Sequence, residues 1–191
     1  MKKITVLVLA LSLSMLFVAG CGPRRAKRLA APDYNASAIS AEAIKQYDTN
    51  GDGQLSGEEL DAAKSIKSSF PGMTAVTATD IANRVRMWKE SRLGLLAASV
   101  VVVKNGKPVP NASVAVSSED FMGGNKIQFS VQTSEDGRTG LSMENEDGLP
   151  GIQCGYYKID VTVDGKTYPF GVEIAKDSRA LNDSVARLEI K

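Results

Sequence analysis

Oxygen-bearing side chains recur at every second position near the start of a twelve-residue segment. The segment, residues 48–59, reads DTNGDGQLSGEE and places Asp48, Asn50 and Asp52 in alternation. Ca2+ is a hard cation that takes six to eight oxygen ligands at about 2.3–2.6 Å. Because three alternating side chains can converge on one side of a tight turn, the spacing predicts a calcium site in this 48–59 loop.

The second half of the loop supplies the remaining predicted ligands. Gly53 permits the positive φ with which the chain reverses direction. Gln54 offers its backbone carbonyl, and Ser56 offers a direct or water-bridged oxygen. Glu59 offers both carboxylate oxygens, while its neighbour Glu58 faces solvent. The candidate ligands are therefore Asp48, Asn50, Asp52, Gln54, Ser56 and Glu59.

This pattern resembles the EF-hand family over residues 39–70. The resemblance implies Ca2+ as the bound ion and places Leu55 in the core, where it anchors the loop. The competing interpretation is an acidic, glycine-rich turn between two helices, without a metal.

Three runs of apolar residues at helical spacing surround the loop. They are Ile39, Ala43, Ile44 and Tyr47; Leu60, Ala63, Ile66 and Phe70; and Ile81, Val85 and Trp88. Spacings of three and four line one face of a helix, so the pattern predicts three helices within residues 37–96. Thr77 is the expected N-cap of the third helix, with Asp80 three residues later.

EF-hand loops usually occur in pairs, and residues 71–80 lie where a second loop is expected. Val76 corresponds to Leu55, which predicts a short β contact between the two loops. The upstream ligand positions fall on Ser69, Pro71 and Met73, which carry no carboxylate. We therefore expect a degenerate second loop without metal, and a calcium affinity on the order of 10^-5 to 10^-3 M at the first.

From about residue 97 the chain reads as strands. Seven segments are β-branched or alternate apolar with polar residues: 98–103, 109–116, 127–133, 139–143, 157–163, 168–174 and 185–190. Asn105-Gly106 and Asp164-Gly165 are hairpin-turn signals. The pattern predicts an α+β protein, in which a small helical segment precedes an antiparallel β-sandwich of about seven strands over residues 97–191. We expect the sandwich to fold without the helices.

Three segments of this β region resemble carboxypeptidase regulatory-like or transthyretin-like domains. They read GKPVPNASV at 106–114, SEDGRTGL at 134–141 and LPGIQCGYYKI at 149–159. The resemblance implies a non-catalytic structural or binding module. The sequence contains no histidine, which excludes Ser-His-Asp, Cys-His and His-ligated metal chemistry. We expect no enzymatic activity.

The first twenty residues have the pattern of a bacterial secretion signal. Lys2 and Lys3 precede an apolar stretch over residues 4–18, which is too short for a comfortable membrane span. The stretch ends in Val-Ala-Gly-Cys, which resembles the lipobox of bacterial lipoproteins and implies acylation of Cys21. Residues 1–20 are then a signal peptide and 21–36 the anchor and linker. Gly22, rather than an aspartate, follows Cys21 and favours the outer over the inner membrane.

The distribution of charge along the chain indicates which classes of partner the protein could bind. Four basic residues lie within positions 24–28, whereas residues 32–191 carry 17 basic and 22 acidic side chains. The acidic body and 6% aromatic content disfavour nucleic-acid binding. The basic stretch is either a lipid-headgroup contact beside the anchor or a solvated tether. We expect a structural or adhesive envelope module; the alternative is an accessory lipoprotein that binds a protein or polysaccharide partner.

Overall fold

The computed structural model describes residues 29–124, 126–143, 149–181 and 183–191. The predicted signal peptide at 1–20, Cys21 and the basic stretch at 24–28 lie outside these residues. No helix within the described ranges is long and apolar enough to cross a membrane.

The helices lie at the N-terminal end of the described chain: α1 (Ala36–Tyr47), α2 (Gly57–Ala62), α3 (Lys64–Ser69) and α4 (Ala78–Ser91). Thr77 caps α4, since its Oγ1 accepts the Asp80 amide and its own amide donates to the Asp80 carboxylate. The single helix predicted across residues 60–70 is wrong. Ala63 has φ −80° and ψ 58°, which is outside the helical range and divides the run into α2 and α3.

Two three-residue strands join the loops between these helices. β1 (Gln54–Ser56) pairs antiparallel with β2 (Ala75–Thr77), and Leu55 lies opposite Val76. Both central side chains are fully buried. The predicted pairing of the two loops is therefore confirmed, because both strands direct one apolar residue into the same core.

The remaining strands form two sheets. They are β3 (Ser99–Lys104), β4 (Lys107–Pro108), β5 (Ser113–Ser118), β6 (Gln128–Gln132), β7 (Arg138–Gly140), β8 (Gly155–Val163), β9 (Lys166–Ile174) and β10 (Val185–Ile190). One sheet has the order β6-β5-β8-β9. The other has the order β10-β3-β4, with β7 also paired to β3. Both predicted hairpin turns form, with positive φ at Asn105-Gly106 and Asp164-Gly165.

The expectation of a wholly antiparallel sandwich needs one correction. β10 pairs parallel with β3, in the register Val185 opposite Ser99 through Ile190 opposite Lys104. The last strand thus lies beside the first strand of the β region. A parallel pair needs a long crossover, and here nearly the whole β region supplies it.

Two hydrophobic cores form among the residues that the structure describes. The first lies between the two sheets and is made of alternating strand residues such as Val100, Val114, Ile159 and Leu188. The second combines residues of both halves of the chain. It consists of Tyr34, Ile39, Ala43, Leu55, Leu60, Ala63, Ile66, Val76, Ile81, Val85, Trp88, Phe121, Cys154, Tyr156 and Ala175. The change from helices to strands near residue 97 is therefore not a boundary between two cores.

Backbone contacts fix the helices on the sheet at β9. A Cβ added to Gly171 would lie 2.2 Å from the Ser65 amide nitrogen, so only glycine permits this approach of α3. The Glu173 amide donates to Ser68 Oγ at 2.8 Å, and Lys64 Nζ donates to the Pro169 carbonyl at 2.8 Å. These contacts fix the helical segment relative to the sheet at α3.

Candidate metal centre

Three carboxylates of the 48–59 loop converge. Asp48, Asp52 and Glu59 each place one oxygen within 4.8 Å of the others. Among the described residues no other group of three acidic or sulfur- or nitrogen-bearing ligands is this close. Oxygens at such separations can be bridged by one hard cation, whose ligands lie about 2.3–2.6 Å from it.

Backbone amides orient the Asp48 side chain. Its Oδ1 accepts the Gly51 amide at 2.6 Å, and its Oδ2 accepts the Gly53 amide at 2.9 Å. Gly51 and Gly53 both have positive φ, at 77° and 81°, which turns their amides inward. Asp48 also ends α1, where its own amide donates to the Ile44 carbonyl at 2.7 Å. The first predicted ligand is thus tied to the end of a helix.

The next two predicted ligands hold the loop by similar bonds. Asn50 Oδ1 accepts the Asp52 amide at 2.8 Å, and Asp52 Oδ1 accepts the Gln54 amide at 3.0 Å. Gln54 Nε2 also donates to Asp52 Oδ2 at 3.3 Å. These bonds tie Asp52 to Gln54 on both sides, and the use of the Gln54 backbone carbonyl as a ligand stays a prediction.

Glu59 closes the loop from the other end. Its Oε1 accepts bonds from the Thr49 amide and hydroxyl, both at 2.9 Å, and from the Asn50 amide at 3.0 Å. The Thr49 hydroxyl, followed by these amides, lowers the pKa of Glu59 below its usual value. The side chain is only 8% exposed. Glu59 is therefore an anion at neutral pH and already holds the first turn of the loop.

Three further residues of the loop are Ser56, Leu55 and Glu58. Ligation of a cation by Ser56 stays a prediction. Ser56 ends β1, and its amide donates to Glu59 Oε2 at 3.4 Å. Leu55 is buried, as predicted, and Glu58 is exposed in the first turn of α2. The structure brings three carboxylates together, and the predicted donor set adds one amide oxygen, one backbone carbonyl and one hydroxyl. This all-oxygen set suits a hard divalent cation.

Sequence reasoning missed a buried carboxylate that contacts both α1 and α3. Glu119, 3% exposed, accepts the Ser65 hydroxyl at 2.6 Å and the Tyr47 hydroxyl at 3.0 Å. Tyr47 immediately precedes Asp48, and Ser65 lies in α3, beyond the other end of the loop. Burial, followed by the nearby Glu119 charge, raises the pKa of Tyr47, so its hydroxyl stays protonated and donates. Glu119 therefore connects both sides of the loop to the β region.

A second buried charge network joins α4 to β9. Arg84 Nη2 donates to Glu173 Oε2 at 3.1 Å, and Arg84 Nη1 donates to Asp177 Oδ2 at 2.8 Å. Glu173 has no exposed surface, whereas Asp177 lies near the surface. Buried carboxylates are costly unless they are paired, so this network fixes the position of α4.

A cavity of about 350 Å3 lies between α1 and the segment from Ser118 to Gly124. Its lining mixes apolar side chains such as Ile39 and Phe121 with polar ones such as Asn35. Cys154 also lines it; the thiol is buried, and burial raises its pKa to about 11. Among the described residues that line the cavity there is no Lys or Arg.

No family model matches the chain, and no curated protein matches it. Solved structures align over part of it. The Bacillus cereus major pilin subunit BcpA aligns at 19% identity and a TM-score of 0.30, covering 50% of this chain and 27% of the pilin. An (S)-allantoin synthase aligns at 14% and 0.36, covering 59% and 47%. The group B streptococcus pilus 2b backbone protein aligns at 8% and 0.27, covering 52% and 41%. The chain thus spans less than half the length of each, and similarity this low carries no functional argument.

Proposed function

We propose that this protein is a calcium-binding lipoprotein of the bacterial envelope, in which one EF-hand-type loop stabilises a structural or adhesive module. The observation that carries the proposal is the convergence of Asp48, Asp52 and Glu59 within 4.8 Å. The membrane anchor in the proposal rests on the sequence around Cys21.

The arrangement of the loop supports a calcium site over the competing interpretation, an acidic turn without a metal. Three like charges at this separation repel one another, and the loop contains no lysine or arginine to neutralise them. Asp48 and Asn50 nevertheless have their side chains held by backbone amides, which preorganises the oxygens. Ca2+ supplies the missing positive charge, and Asp48, Asn50, Asp52, Gln54, Ser56 and Glu59 would hold it.

The second loop supports a structural rather than a signalling role. Thr77 and Asp80 reproduce the Ser56 and Glu59 relationship, and the β1–β2 pair joins the loops. Its upstream positions carry Ser69 and Met73 in place of carboxylates. With one site, binding is not cooperative between the loops. We infer that calcium occupies the site continuously outside the cell, where the ion is abundant.

Calorimetric titration and melting curves test the proposal directly. A ligand that binds only the folded state adds RT ln(1 + [Ca2+]/Kd), which is about 2.7 kcal/mol at a hundredfold excess over Kd. Asp52→Asn should abolish most of this gain, because it removes one ligand charge and retains an oxygen that can accept the Gln54 amide. Glu59→Gln should abolish it too, but it should also lower the stability of the metal-free protein.

The matched control is Glu58→Gln, which removes an exposed charge one residue from Glu59. Its melting curves with Ca2+ and with chelator should differ as much as those of the wild type. If the wild-type curves superimpose, the loop is only an acidic turn and the proposal is wrong.

The proposal includes no catalytic activity, and the accessory binding lipoprotein is the weaker candidate. Recognition of polysaccharide usually uses exposed aromatic rings. The large hydrophobic side chains that are exposed in the described ranges are Met73, Met87 and Leu149, none of them aromatic. Trp88 is buried against Glu173.

A further inference from the structure

The apolar face of the helical segment is covered by the chain's own sandwich. Ile66, Val85 and Trp88 pack in one core with Phe121 and Tyr156 of the β region. Trp88, Phe121 and Tyr156 are each at most 4% exposed. The face that a helix pair of this type could offer to another protein is thus already occupied within the molecule.

A row of aromatic rings crosses this interface from the loop to α4. Tyr47 contacts Phe121 edge-on at 6.2 Å between ring centres, and Phe121 contacts Tyr156 at 5.6 Å. Tyr156 contacts Trp88 at 4.8 Å. Edge-on and tilted aromatic pairs of this kind add stabilisation beyond the area they bury. The row begins at the residue next to Asp48, so a shift of α1 at the loop changes its first contact.

Glu119 makes the docking sensitive to the angle between the helices. Its two oxygens accept one hydroxyl from each side of the loop, Tyr47 from α1 and Ser65 from α3. Both bonds form only in one relative placement of these helices. If either helix moves away, a carboxylate that is 3% exposed loses a donor. Lys158 Nζ lies 3.7 Å from Oε2 and remains a partner. A buried carboxylate that loses one of its donors is still destabilised, so Glu119 favours the arrangement in which both hydroxyls reach it.

We propose that the calcium state of the 48–59 loop controls how tightly the helices dock on the sandwich, with Tyr47 and Glu119 as the connection. This rests on the proposed function. Without the ion, repulsion among Asp48, Asp52 and Glu59 moves the end of α1 away from α2, and the bond from Tyr47 of α1 to Glu119 loosens, while α3 stays held on β9. With it, the loop fixes both helices in the placement that Glu119 and Phe121 require. The ion therefore stabilises the joint between the two halves as well as its own loop.

The single tryptophan of the chain is a built-in probe of this joint. Trp88 lies at the far end of the aromatic row and is 2% exposed. On adding Ca2+ to chelator-treated protein, its emission should shift to shorter wavelength and its quenching by acrylamide should fall. Calorimetry on the same samples should measure binding separately, so that loss of binding and loss of docking are distinguished.

Tyr47→Phe keeps the ring and removes the hydroxyl that donates to Glu119. This variant should still bind Ca2+ but lose most of the calcium-dependent change in Trp88 quenching. The control is Tyr168→Phe, which removes a tyrosine hydroxyl on β9 from a ring that lies under Lys166. It should keep the full change.

A second measurement follows the alkylation rate of the native Cys154 thiol. Cys154 belongs to the same core and is 3% exposed. In a Cys21→Ser background its alkylation should be slower with Ca2+ than with chelator. Calcium binding without any change in Trp88 quenching or Cys154 alkylation would overturn the inference and leave the proposed function intact. A full Trp88 response in Tyr47→Phe would overturn the assigned connection, and absence of calcium binding would overturn both proposals.

Discussion

The indole Nε1 of Trp88 donates a hydrogen bond to Oε1 of Glu173 at 2.8 Å, which joins the last turns of α4 to β9. The same carboxylate is paired with Arg84, whose side chain is 10% exposed, and Glu173 itself has no exposed surface. Asp177 shares the Arg84 guanidinium and reaches solvent.

Removing Glu173 should destabilise the protein strongly. Glu173→Ala leaves the Arg84 guanidinium and the Trp88 N–H without their buried acceptor. Breaking a buried ion pair from one side costs about 3–5 kcal/mol of unfolding free energy. Urea unfolding measures this loss. Glu189→Ala, which removes an exposed partner of Arg187, is the matched control and should stay within about 1 kcal/mol of the wild type. Equal effects of the two substitutions would contradict this role of Glu173.

Asp177 should contribute to the acid sensitivity of the same joint. The hydrogen bonds from Arg84 lower the pKa of Asp177 below its usual value of 3.8. A folded-state pKa below the unfolded one stabilises the protein above pH 3.8, and the contribution is lost as pH falls through the folded value. Asp177→Asn should therefore flatten the fall in unfolding free energy below about pH 4. The effect should be small, because the side chain is 54% exposed. An unchanged pH profile would contradict it.

The β region alone should not reach its native state. A fragment of residues 97–191 exposes Phe121, Cys154 and Tyr156, which pack against the helices in the whole chain. It also leaves Glu173 without Arg84. We therefore expect this fragment to bind the dye ANS and to show poor amide-proton dispersion, whereas the chain with the helices should do neither. Well-dispersed resonances without dye binding would instead support the sequence-based expectation of an independent sandwich.

Cys21 should decide the location of the protein. If it is acylated, the wild-type protein should partition into the detergent phase, and Cys21→Ser should move it to the soluble fraction. Two acyl chains anchor firmly without a membrane-spanning helix. Cys154→Ser is the control and should leave the partition unchanged. Wild-type protein of mature length in the soluble fraction would contradict the anchor.

The sequence alone determined the local features of the 48–59 loop and of its partner loop. Alternating oxygens at Asp48, Asn50 and Asp52 predicted a converging set, and the structure brings Asp48 and Asp52 together with Glu59. Leu55 and Val76 were expected to pair, and they do. These features are predictable because turn geometry, caps and strand alternation depend on residues a few positions apart.

Only the tertiary structure decided how the two halves meet. Glu119 lies 72 positions from Tyr47, and Glu173 lies 89 positions from Arg84. No periodicity links residues so distant in the chain. The parallel pairing of β10 with β3 was likewise invisible, because alternation fixes which face of a strand is buried but not its neighbour or direction. The spacing of apolar residues predicted one apolar face on each helix. It did not predict that the sandwich covers this face, because the hydrophobic effect is non-directional and the partner surface comes from distant parts of the chain.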